Sequence, residues 1–171
     1  MSPFSTNTES PFKNLWPMDG RAMGGGLNIQ EMAKGLKGGS GGWTIHEAYL
    51  GLLLAVAMSD NAYPEAEQNE ILRLGKRSPI LSQLSMPELA KANNNVNERF
   101  KSRPEAVREC CETIPEEMRL AVLGHCVEIA IADGGMSQPE AAMIERILEH
   151  LRVDMRDAKN VIEVVLLLAR Y

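Results

Sequence analysis

Apolar positions recur along this chain at helical spacing, and no segment keeps the two-residue alternation of a strand. Tyr49, Leu53 and Val56 fall on one stripe and Val122, Cys126 and Ile129 on another. Ile71 pairs with Leu74, and Ile144 is followed by Ile147 and Leu151. Steps of three and four residues put such positions on one face of an α-helix. Helix starts carry a second mark. A Ser or Thr three residues before a Glu can close a capping box, in which each side chain takes an unpaired backbone N–H of the other residue. Thr44/Glu47, Ser85/Glu88, Ser102/Glu105, Thr113/Glu116 and Ser137/Glu140 have this spacing. Four of the five enclose a Pro, which the first helical turn tolerates. With further starts at Pro64 and Asp154, the pattern predicts helices over 45–60, 64–75, 86–100, 103–112, 114–132, 138–151 and 155–170. The expected fold is all-α, a compact bundle of about seven helices with short connections.

The chain also matches itself at an offset of 73 residues: Gly51 falls on Gly124, Val56 on Ile129, Asp60 on Asp133, Glu67 on Glu140 and Ile71 on Ile144. This register predicts an internal duplication. Each unit is a helix, a short turn after an Asp, and a second helix with a Glu in its first turn. Asp60 continues the stripe of Tyr49, Leu53 and Val56, and Asp133 continues that of Val122, Cys126 and Ile129. Glu67 and Glu140 precede the stripes of the following helices. All four carboxylates are therefore expected to lean toward the bundle, where a partly buried acid needs a cation, a metal or several N–H donors. Simpler roles stand beside this one. Glu140 completes a capping box with Ser137, and Asp60 and Asp133 can end their helices by accepting N–H groups of the next turn. Capping leaves Glu67 unexplained, because the position matching Ser137 is Pro64, which has neither a side-chain acceptor nor an N–H.

Composition adds an appendage to this picture. Nine of the fourteen glycines lie within residues 1–42, in GRAMGGG and GLKGGSGG, and such a stretch cannot offset its own ordering entropy. Residues 1–42 therefore read as an arm, flexible or docked on a partner, and 43–171 as the helical domain. Within the arm, Ile29, Met32, Ala33 and Leu36 share a face of a short helical island at 28–37. A protein partner is expected there, through Ile29, Met32 and Leu36, the other reading being a plain linker.

The net charge of −5 argues against nucleic-acid binding, and the arm's four basic and three acidic residues leave −6 on the domain. Three cysteines, one pair adjacent, make no disulfide framework and point to a reducing compartment. The polar start shows no secretory signal, and no apolar run could cross a bilayer, so the expectation is cytoplasmic. His125 beside Cys126 has no CxxC or HExxH spacing and reads as core, while His46, in a first helical turn, reads as exposed. No nucleophile–base pair or phosphate-binding glycine loop is recognisable, so the chain reads as non-enzymatic.

The segment IPEEMRLAVLGHCVEIAIADGGMSQPEAAMIERILEHL, with Asp-Gly, a small turn and Ser-x-Pro-Glu, resembles the second half of the tellurite-resistance TerB-like family. AYLGLLLAVAMSDNAYPEAEQNEILRL resembles the first half, with Asn61 where that family usually has Gly. The resemblance covers about residues 44–170 and implies a helical bundle linked to tellurite and other chemical stress. It also implies a divalent-metal role for Asp60, Glu67, Asp133 and Glu140, and hard carboxylate oxygens suit Ca²⁺, Mg²⁺ or Mn²⁺. The alternative is an interaction subunit of a larger assembly, membrane-associated or not, tethered by its arm.

Overall fold

The computed structural model describes residues 40–61 and 65–170. They form seven helices: α1 (Ile45–Ala57), α2 (Glu65–Arg77), α3 (Met86–Ser102), α4 (Ala106–Thr113), α5 (Arg119–Ala130), α6 (Gln138–Leu151) and α7 (Met155–Leu168). Short 3-10 turns lie at Ser40–Gly42, Leu81–Gln83 and Glu116–Met118, and no strand occurs among the described residues.

α1 is apolar on every side, and a helix of that kind belongs in the interior. Every residue of α1 but His46 is buried, and α3, α4, α5 and α6 all pack against it. Its close approach to α4 needs Gly51, where an added Cβ would meet Cys110 Sγ at 3.1 Å. The matching glycine, Gly124 of α5, does the same for α7, with Val161 Cγ1 3.2 Å from the position of a Cβ. Cys110, Cys111 and Cys126 are free and buried in the core, and burial raises all three thiol pKa values, Cys111 to about 12.

Three capping boxes form as the spacing predicts. Thr44 and Glu47 close one, Ser85 and Glu88 a second, and Ser137 and Glu140 a third. The other two pairs act differently. Ser102 is the last residue of α3, and its hydroxyl donates back to the Glu98 carbonyl at 3.1 Å. Thr113 ends α4 and donates to the Glu109 carbonyl at 2.8 Å. A Ser or Thr hydroxyl can serve the preceding turn as readily as the following one. Here the preceding helix takes it, so α4 starts at Ala106, and α5 at Arg119 rather than near 114.

Residues ahead of α1 are fastened to the body. Trp43 is fully buried, its Nε1–H donates to Glu109 Oε2 at 2.8 Å, and the Arg99 guanidinium lies 4.6 Å from its ring centre. Arg99 and Arg103 also donate to the carbonyls of Gly42 and Gly41, at 3.1 and 2.9 Å. His46 is half-buried with its Nε2 out of contact with water, contrary to the exposed position expected of it. The helical island at 28–37, with Ile29, Met32 and Leu36, lies outside the described residues.

Candidate functional site

The turns after α1 and α5 are built alike. After α1, Met58 N–H donates to the Leu54 carbonyl at 2.9 Å, Ser59 to Val56 at 3.0 Å and Asn61 to Met58 at 3.3 Å. After α5, Ile131 donates to Val127 at 3.2 Å, Ala132 to Ile129 at 3.1 Å and Gly134 to Ile131 at 3.1 Å. Every donor and acceptor differs from its counterpart by 73 in sequence. Both turns close on a positive φ, 60° at Asn61 and 104° at Gly134. Asn reaches that region more readily than other side chains do, so it can stand where the second turn has Gly.

The four acids expected to face inward do not share one environment. Glu67, in the first turn of α2, is 1% exposed, and Glu140, in the first turn of α6, is 3% exposed. Asp60 is half-buried, whereas Asp133 is exposed and its Oδ1 accepts the Gly135 N–H at 3.4 Å. The inward expectation thus fails for Asp133, and for a simple reason. α5 ends at Ala130, so the three-and-four spacing that ran through Val122, Cys126 and Ile129 no longer governs where residue 133 points. Its hydrogen bond to the turn is the helix-terminating role.

Glu67 and Glu140 meet across the two hairpins, close enough for their carboxyl groups to hydrogen-bond. Two carboxylates cannot share such a bond without a proton between them. Burial pushes the pKa of Glu67 up to about 7, and the negative charges of Glu140, Asp60 and Asp133 push in the same direction. Glu140 is supported by its cap: Ser137 N–H donates to its Oε2 at 2.6 Å, and its own N–H donates to Ser137 Oγ at 3.4 Å. Glu67 lacks an equivalent, and its Oε2 is buried with no hydrogen-bond partner. An orphaned carboxylate oxygen is costly unless a proton or a cation completes it.

The donor set fits a hard cation, since it is all carboxylate and one buried oxygen is unsatisfied. Its assembly is partial. No three of the His, Cys, Asp and Glu side chains among the described residues converge closely enough to hold a metal ion. Sequence reasoning found each of these acids but not that Glu67 and Glu140 touch each other; their equivalence under the 73-residue offset was the available signal.

A second, part-buried polar contact joins α1 to α5. Tyr49 Oη hydrogen-bonds His125 Nδ1, and Arg77 pairs with Glu128 at 2.8 Å beside them. Burial raises the pKa of Tyr49 and lowers that of His125, so both stay neutral near neutral pH. This is a satisfied packing contact, with His125 half-buried at the edge of the core where a core position was expected.

A seven-helix bundle with two like turns and a facing pair of buried glutamates defines an all-α, acid-bearing class of domain. The chain belongs to the TerB tellurite resistance family: residues 46–162 match the family described as Tellurite resistance protein TerB. No curated protein and no solved structure matches it. No helix among the described residues is long and apolar enough to cross a membrane.

Proposed function

We propose that this chain is a non-enzymatic, stress-associated TerB-family module that binds a divalent cation between its two hairpins. The observation that carries the reading is Glu67, buried against Glu140 with one oxygen unsatisfied. Glu67 and Glu140 supply the two central carboxylates, with Asp60 and Asp133 at the margin adding negative charge that attracts a cation. Two carboxylates with water completing the shell is a pattern that Mg²⁺ accepts, and Ca²⁺ or Mn²⁺ suits the same oxygens. A bound cation supplies positive charge where two carboxylates otherwise repel. Glu67 then gives up its proton, and the starts of α2 and α6 are held together through their side chains.

Titration calorimetry of the whole chain with Ca²⁺, Mg²⁺ and Mn²⁺ tests this, alongside melting curves. Binding should raise the melting temperature, with about 2.7 kcal/mol of stabilisation at a hundredfold excess over the dissociation constant. Glu67→Gln should abolish that response while leaving the circular dichroism unchanged. No heat and no shift at millimolar metal would reject the reading and leave the pair as a proton-bridged structural contact.

A further inference from the structure

The middle of α3 reads AKANNNVNERF, and Asn is a weaker helix former than Ala at each of these interior positions. One of the four has a structural use, since Asn95 Nδ2 donates to Glu47 Oε1 at 3.0 Å. Asn93 and Asn97 are half-buried, and among the described residues neither makes a hydrogen bond through its amide. They are four residues apart, with Lys101 four further on, so the three form one edge of α3 about 12 Å long.

That edge is the wall of a groove. Two depressions, of about 540 and 420 Å³, share Met58, Asn97 and Lys101 and so run into one another. Leu54 and Met58 of the α1 end form the opposite wall of the first, and Met58 is 47% exposed. The second is floored by Phe100, Val107 and Met143 and rimmed by Lys101, Arg103 and Arg146. No carboxylate lines this second depression among the described residues, although the chain carries a net −5; Glu98 lines the first. Arg103 is partly engaged, by Glu109 at 3.2 Å and the Gly41 carbonyl at 2.9 Å, and Arg146 reaches only the Pro104 carbonyl, at 3.4 Å. Lys101 has no ion-pair partner among the described residues. Ser59 Oγ, on the same lining, is buried without a partner.

We propose that this groove binds a short extended peptide of a partner protein, one with an apolar side chain followed by carboxylates. A carboxamide donates and accepts together, as a peptide unit does, so Asn93 and Asn97 can each hold the main chain of an extended segment. An extended chain advances about 3.3 Å per residue, so the edge spans roughly four residues. Met58, Phe100 and Met143 then receive the apolar side chain, methionine being suited to pliable recognition surfaces. Lys101, Arg103 and Arg146 meet the carboxylates, and charge complementarity there selects an acidic partner over a basic one. This groove uses none of the four acids, so its fate is independent of the cation reading.

The test is a nitrogen-15 NMR titration of the full chain with the acetylated, amidated peptide Gly-Leu-Leu-Asp-Glu, and with Gly-Leu-Leu-Lys-Lys as its charge-reversed control. The acidic peptide should give saturable shifts confined to α3 from 93 to 103, the Met58 turn and Met143, and the control should give none. Lys101→Glu with Arg146→Glu should weaken binding by roughly tenfold or more. Asn93→Ala with Asn97→Ala, which favours the helix and so keeps the fold, should weaken it as well. Absence of saturation at millimolar peptide, equal binding of the lysine peptide, or the same shifts from sodium acetate alone would each overturn the proposal. So would contacts from residues of the arm, such as Ile29, Met32 or Leu36, to the groove in the unliganded chain, which would make the arm its occupant.

Discussion

Glu140 and Glu67 stand 73 residues apart, at the same step of two hairpins whose preceding turns make the same three hydrogen bonds. Glu140 has a local explanation: it caps α6 with Ser137, and both partners gain a satisfied N–H. Glu67 has no Ser before it, is as deeply buried, and keeps one oxygen unpaired. Position alone therefore does not set an acid's surroundings. The local hydrogen bonds separate the two, and the first hairpin is the one carrying an uncompensated group.

The sharpest way to break the comparison is through the core that both hairpins share. Leu74 and Ile147 occupy matching positions and are both fully buried. Leu74→Ala and Ile147→Ala should each cost about 2–5 kcal/mol in urea unfolding. A large loss at one site and a negligible one at the other would mean that the hairpins do not contribute equally to one cooperative unit.

A smaller effect separates the two turns. Gly134 has open space around its missing Cβ, so Gly134→Ala should suffer from backbone conformation alone, by about 1–2 kcal/mol. Asn61→Gly should stay within about 0.5 kcal/mol, because Asn already tolerates the conformation Gly would adopt. If Asn61→Gly changed stability as much as Gly134→Ala, the two turns would differ in more than their residue.

The pH dependence of Glu67 sharpens the comparison further. Its pKa is about 7 in the folded chain against 4.5 for an unperturbed Glu, so the folded state holds the proton more firmly. This group's contribution is fully present below about pH 4.5 and is lost as pH rises through about 7. Glu67→Gln keeps the neutral form at every pH. Its melting temperature relative to the parent should therefore rise from pH 5 to pH 8 in the absence of metal. A constant difference would mean that Glu67 is ionised throughout and that the pair shares no proton.

Most of the helical architecture was legible in the sequence, because apolar spacing and capping boxes are local signals and seven helices arose where they pointed. The two failed boxes mark the limit of that reasoning. Nothing in the residues of Ser102 or Thr113 says whether the hydroxyl serves the helix behind it or the one ahead; α3 and α4 continuing to those residues decides it. Asp133 marks another limit, since periodicity extends a stripe only while the helix lasts. The Trp43 clamp was not legible either: its partners Arg99 and Glu109 lie 56 and 66 residues away, on α3 and α4. The groove along Asn93 and Asn97 needed α1 and α6 in place before it had a second wall.

Three thiols sealed in the core, with Cys126 at 0% exposure, also make this molecule its own clock. A thiolate is the nucleophile that attacks alkylating and oxidising reagents, and burial keeps each sulfur protonated and out of reach. Reaction must wait for the helices around it to part. The rate at which iodoacetamide labels Cys110, Cys111 and Cys126 thus counts opening events site by site, with α4 and α5 timed separately and without any introduced probe.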